Sequence, residues 1–161
     1  GSEGYGVQGL DLASILVAVD GTAHSEAPIP YVEDIAAVPG SNVTVMRVVP
    51  TGGPYTGLWD DVRLMDVYPE ILKAAQDYTD SIVSGLRRKG IQADARVVEG
   101  LAVTAVIAVA DEVGADVIAL APKGLSGMSR VVLGSVTETS VRSSHRPVLV
   151  VPPAMVAEDL N

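Results

Sequence analysis

Short apolar runs alternate strictly with helical patterns along this chain, and that alternation limits its possible folds more than any other feature. Ile15-Leu-Val-Ala-Val19, Val43-Thr-Val-Met-Arg-Val-Val49, Ala93 to Val98, Ala115-Asp-Val-Ile-Ala-Leu120 and Pro147-Val-Leu-Val-Val151 all have strand length. Between the second and third runs, Ile71, Leu72, Ala75, Tyr78, Ile82, Val83 and Leu86 recur at helical spacing. Strand–helix alternation predicts a parallel sheet covered by helices on both faces and joined by right-handed crossovers. Four helices are expected: Ser25 to Ala37, with Pro28 and Pro30 making its start irregular; Tyr68 or Pro69 to Lys89; Val103 to Glu112; and Val136 to Arg142. Gly90 and Gly114 stop the second and third.

Composition fits this architecture. Hydrophobic residues make up 48% of the 161 but aromatics only 4%, and there is no Phe, so the core must be aliphatic, as suits strands buried on both faces. The length accommodates one well-cored domain and not two ordinary ones. Residues 1–13 read as a tag remnant and flexible linker, 14–153 as the domain and 154–161 as a tail. No apolar run approaches the roughly 18 residues of a membrane span, so no membrane insertion and a cytoplasmic location are expected. The absence of Cys removes disulfide and thiolate chemistry, and two distant histidines, His24 and His145, argue against a histidine metal site. A net charge of −9 with scattered basic residues argues against a nucleic-acid partner.

Doubly wound sheets bind ligands beyond the carboxyl ends of their strands, where strand order reverses. Two such ends carry suggestive chemistry. The first run closes in Val19-Asp20-Gly21-Thr22, a carboxylate beside a flexible turn and a hydroxyl. The fourth leads into the glycine-bearing stretch Ala121 to Ser135, whose Gly134-Ser135 opens a helix and offers backbone N–H groups to an anion. Simpler roles exist for each: Asp20 as a turn former, Ser135 and Glu138 as a capping box, Gly124 and Gly127 as turns, Lys123 as a solvated side chain. The stretch from Pro50 to about Val67, with Gly52, Gly53, Pro54, Gly57 and Trp59, is the longest expected loop and holds Asp60, Asp61 and Asp66.

These motifs together resemble the universal stress protein family. The resemblance runs from about Ser14 to Pro152 and rests on Ile15 to Glu26, Val97-Val-Glu-Gly100, Ile107 to Leu120, Leu133-Gly-Ser-Val-Thr-Glu138 and His145 to Pro152. It implies a three-layer α/β/α sandwich of the adenine nucleotide alpha hydrolase type, a doubly wound five-stranded parallel sheet in the order 3-2-1-4-5. The family's nucleotide-binding branch carries Gly, two residues, Gly, nine residues, then Gly and Ser or Thr. Here Gly124 and Gly134-Ser135 keep the spacing, Ala121 stands at the first glycine, Pro122 removes an N–H, and Lys123 retains a cation.

By resemblance, Asp20, beside Val19, Gly21 and Thr22, contacts ribose or adenine, and Val48 meets adenine through its backbone. Gly100 approaches the ribose and first phosphate, while Gly124, Gly134, Ser135 and Val136 hold the phosphates near Ala121 and Lys123. The implied ligand is ATP, ADP or AMP, with or without Mg, in a stress-response protein that dimerises through Val148–Val151. Ala121 and Pro122 motivate a second reading, a dimerisation or interaction module that binds no nucleotide, for example a domain of a larger protein such as a transporter. A third reading is a slow ATPase using Asp60, Asp61 or Asp66 as a base, although no nucleophile or metal set accompanies them.

Overall fold

In the computed structural model, which describes residues 13–50, 62–122 and 145–152, the five apolar runs form one sheet. The strands are β1 (Ser14–Val19), β2 (Asn42–Pro50), β3 (Gln92–Gly100), β4 (Val117–Leu120) and β5 (Val148–Val150). Their order is β3-β2-β1-β4-β5 and every pairing is parallel. This is the doubly wound arrangement that the resemblance implied. β1 is the central strand, with Ile15 opposite Val43 on one side and Val117 on the other.

Successive strand residues point to opposite faces, so the continuous apolar runs supply two cores. Ile15, Val17, Val19, Val43, Val45, Val117 and Ala119 face one layer of helices. That layer consists of α1 (Ile29–Ile35), contributing Val32, and α2 (Val62–Arg88), contributing Val83 and Leu86. Leu16, Ala18, Met46, Val48, Ile118 and Leu120 face α3 (Ala102–Val113), which contributes Val106, Val109 and Ala110. Each fully buried aliphatic side chain contributes about 1.5–3 kcal/mol, so two aliphatic layers compensate for the scarcity of aromatics.

Helix boundaries depart from expectation at the prolines. The helix expected over Ser25 to Ala37 is instead a 3₁₀ turn, His24–Glu26, followed by the short α1. Pro28 occupies the N-cap of α1 and Pro30 its first turn, where a missing N–H leaves no helical bond unmade. The second correction is larger: α2 starts at Val62 rather than at Tyr68 or Pro69, and Pro69 lies inside it. Pro69 withholds one N–H from the carbonyl four residues earlier. A helix of 27 residues, about 40 Å long, absorbs that loss because buried Ala75, Thr79, Val83 and Leu86 pin it to the sheet. Asp66 therefore belongs to α2 and not to a loop.

Smaller shifts move the strands. β3 runs on to Gly100, and β4 begins at Val117 rather than Ala115. Gly90 (φ +82°) and Gly114 (φ +62°) end α2 and α3 as expected, each in a conformation that favours glycine. The expected loop over 51–61, the helix over Val136 to Arg142 and the terminal segments 1–12 and 154–161 lie outside the described residues.

The amino ends of the strands are tied across the sheet. Ser14 N–H donates to Asp116 Oδ2 (2.8 Å), and Asp116 N–H returns a bond to the Ser14 carbonyl (2.7 Å). Arg146, just before β5, donates to the Ala115 carbonyl and to Asp111 Oδ1 (2.7 Å). Among the described residues, no helix is long and apolar enough to cross a membrane.

Candidate functional site

β1, β2 and β3 are laid down in one direction across the sheet; the chain then crosses back and adds β4 and β5 on the other side of β1. The switch point is therefore between β1 and β4. Because Val17 pairs with Ala119, Asp20 and Ala121 leave neighbouring strands at the same end, as the sequence placed them. Val48 lies on the far side of β1, near the end of β2, and is buried. Gly100 ends β3 opposite Pro50, with φ +141° and open space where a side chain would stand. α3 begins immediately after it, and its exposed N-cap, Leu101, supplies no side-chain cap. The positive end of the α3 dipole thus lies at the carboxyl end of the sheet.

Asp20 is held by its own turn. Its Oδ1 accepts from Thr22 N–H (2.9 Å) and from Thr22 Oγ1 (2.6 Å). Asp20 N–H donates to Ser25 Oγ (3.0 Å), and Ser25 Oγ in turn donates to the Thr22 carbonyl (2.8 Å). Ser25 is buried, so the turn wraps around a satisfied hydroxyl. No described residue donates to Asp20 Oδ2. A fixed carboxylate whose second oxygen meets no described donor, at a switch point, can accept from a hydroxyl or amino group of a ligand.

Behind this turn stand residues that the sequence reading did not assign to the site. Gly21 (φ +92°) lies against Arg47: a Cβ there would come within 2.7 Å of Arg47 Nη1. The Arg47 guanidinium lies 5.6 Å from the centre of the Tyr78 ring, within cation–π range. Tyr78 on α2 donates its hydroxyl to Glu26 Oε2 (2.5 Å) in the 3₁₀ turn. Burial above all, then the hydrogen bond and charge of Glu26, with a smaller push from Asp20, holds the Tyr78 phenol well above its ordinary range. Nearer the start of α2, burial followed by interaction with Glu99 raises the Tyr68 phenol to about 12. Arg47 was readable as an anomaly, a charge inside an apolar strand run, but nothing local connects it to Tyr78.

The amino end of the sheet offers a different feature, a surface groove of about 500 Å³ lined by Asn42, Arg87, Ile91 and Asp94 among others. Its arginine is already committed, donating to the Ala93 carbonyl (2.9 Å) and pairing with Asp94. Among the described residues no group of three His, Asp or Glu side chains is arranged to hold a metal.

The family model described as "Universal stress protein family" matches residues 13–152, which takes in all five strands. The chain belongs to the universal stress protein family. Universal stress protein MJ0531 of Methanocaldococcus jannaschii is 27% identical over 142 residues, covering 85% of this chain and 80% of that protein. Among solved structures, MJ0577 of the same organism superposes with a TM-score of 0.75 at 21% identity, covering 90% of this chain and 99% of that one. A universal stress protein crystallised in complex with cAMP matches with a TM-score of 0.56 at 25% identity, over 89% and 98% of the two chains.

Within this universal stress protein, Ala121 is 4% exposed, so its methyl is enclosed by the protein rather than standing at the surface. Pro122 follows it as the chain leaves β4. The remaining predicted contacts, Lys123, Gly124, Gly134, Ser135 and Val136, lie outside the described residues. The sheet thus brings Val19, Asp20, Gly21, Thr22, Val48 and Ala121 to one end across three adjacent strands, with Gly100 one strand farther out.

Proposed function

We propose that this universal stress protein is a regulatory module that binds an adenine nucleotide (ATP, ADP or AMP) in the crevice beyond β1 and β4. The observation that carries this reading is the Asp20 carboxylate, oriented by Thr22 at the switch point with one oxygen that meets no donor among the described residues. Asp20 would accept from ribose, the backbone near Val48 would meet the base, and Gly100 would allow close approach of the sugar and first phosphate. Lys123, Gly124, Gly134, Ser135 and Val136 would hold the phosphates, aided by the positive end of α3. That a family member of the same fold has been crystallised with cAMP supports the choice of adenine. Mg, where it accompanies ATP, would be held by the phosphates and not by a protein cage. Binding rather than hydrolysis is the task proposed; Asp60 and Asp61, bases that a hydrolytic reading would call on, lie outside the described residues.

Calorimetry with ATP, ADP, AMP and cyclic AMP tests the proposal. Saturable heat with at least one of them is expected, and no heat at millimolar ligand sinks it. One observation favours a second reading, an interaction module without nucleotide: Pro122 cannot donate an N–H where the cradle begins. Native mass spectrometry separates the two, since co-purified nucleotide is incompatible with the second. In either reading β5 pairs with β4 alone among the described residues, and the proposed dimer would add the same strand of a second copy at its other edge through Val148 to Val151. Sedimentation showing a monomer at micromolar concentration would remove that dimer.

A further inference from the structure

Arg47 is out of place by the ordinary logic of a core strand. It lies opposite Val19 in register, so it faces the α1/α2 layer, where its neighbours on β2 are Val43 and Val45. Among the described residues no carboxylate lies within ion-pairing distance of it. Its half-buried guanidinium instead lies within cation–π range of the Tyr78 ring and close against Gly21. The hydrogen bonds that Asp20 itself makes run to Thr22 and Ser25 within its own turn. Contacts with the helical layer include Tyr78, which meets both Glu26 and Ser25, and Arg47 packed against Gly21.

We propose that Arg47 and Tyr78 are positioning residues for Asp20, forming a strut that transmits the rigidity of α2 to the turn after β1. The proposal rests on the nucleotide reading for its consequence but not for its geometry. It also explains Gly21, whose missing Cβ makes room for the guanidinium while its positive φ turns the chain. The fixed carboxylate would then be presented to a ligand without ordering on binding, which lowers the entropic cost of association. If Arg47 merely buried its aliphatic stem, as long basic side chains often do, a residue of similar length without the planar head would serve the turn equally well.

The test uses the whole chain and three variants: Arg47→Met, Arg47→Lys and Tyr78→Phe. Amide hydrogen exchange in the ligand-free protein reads the turn directly at Asp20 N–H and Thr22 N–H, with Val17 in β1 as the internal reference. Exchange at Asp20 and Thr22 is expected to speed up about tenfold in Arg47→Met, with Val17 within about twofold of wild type. Arg47→Lys should resemble Arg47→Met, because an ammonium lacks the broad planar head that reaches from the Tyr78 ring to Gly21. Tyr78→Phe, the mildest change, keeps the ring and should speed exchange about threefold. Unchanged exchange at Asp20 and Thr22 in all three variants overturns the strut.

The second measurement is AMP affinity by calorimetry, expected to fall about tenfold in Arg47→Met. Should the wild type bind no AMP, ADP or ATP, the nucleotide reading fails while the exchange data still decide the strut. Should exchange rise in the variants while affinity stays at the wild-type value, the strut exists but does not position Asp20, and the inference is overturned.

Discussion

The two ends of the sheet each carry an aspartate on a turn, and the two are used in opposite ways. At the amino end, Asp116 bonds to Ser14 through both its carboxylate and its N–H, a tie across 102 residues of sequence. Nearby, Arg146 joins the approach to β5 to Ala115 and Asp111. At the carboxyl end, Asp20 bonds through its carboxylate to Thr22, two residues away, and one of its oxygens meets no described donor. One end commits its polar groups to joining strands. The other orients a carboxylate and leaves it capacity for something else. In a fold where both ends are built from the same strands, this contrast is what singles out the carboxyl end for the proposed site.

Substitutions can break that contrast. The largest effect is expected from Asp20→Ala, which should weaken AMP binding about 100-fold, equivalent to about 2.7 kcal/mol. The same change should alter unfolding free energy by less than about 1 kcal/mol, because it removes only local bonds. If AMP affinity survives Asp20→Ala, the carboxyl end is no more a site than the amino end is. Asp116→Ala should do the reverse. Losing the acceptor for Ser14 N–H should cost about 2 kcal/mol in urea unfolding, with AMP affinity within about twofold of wild type. Weakened nucleotide binding by the folded Asp116→Ala protein would show that the ends are coupled.

The smallest expected effect sharpens the comparison through pH. Folding raises the Tyr78 phenol above its ordinary 10.0, chiefly by burial and then through Glu26. A group raised on folding holds its proton more tightly in the native state, so its contribution is complete below about pH 10 and is lost as pH climbs through the native value. Tyr78→Phe should cost about 1 kcal/mol at neutral pH. The gap to wild type should narrow above about pH 10, because the variant has no Tyr78 phenol to ionise. Tyr68, raised to about 12, leaves a residual alkaline slope in both proteins. Parallel stability curves from pH 7 to 11 would show that the Tyr78 phenol is not held in the folded state as the structure places it.

The strand order was legible because buried parallel strands write themselves as continuous apolar runs, and both faces of β1 and β4 are covered here. Asp20 was legible for a related reason: a carboxylate followed by glycine stands out at the end of such a run. Helix starts were harder to read. Pro69 looked like a first-turn residue, yet the packing of Ala75, Val83 and Leu86 outweighs one lost hydrogen bond, and the helix begins seven residues earlier than that proline. The strut was illegible. Tyr78 fell on the apolar stripe of α2 and read as core, which it partly is. Its pairing with Arg47 depends on β2 and α2 being folded against each other, and no local pattern encodes that.

The central position of β1 also has a consequence in time. β1 is made before the other four strands of this sheet and needs two neighbours, of which β4 is aligned with it through pairs such as Ile15–Val117. At roughly 5–20 residues per second, the intervening hundred or so residues take roughly 5–20 s to synthesise. For that interval, a strand whose residues Ile15 to Val19 are all apolar and buried in the finished fold has one edge still waiting for its native partner. Nascent chains arrested before residue 117 should therefore leave β1 accessible to protease or chaperone, and chains arrested beyond β5 should protect it. A strand equally protected in both would mean that β1, β2 and β3 form a stable half-sheet before the switch point exists.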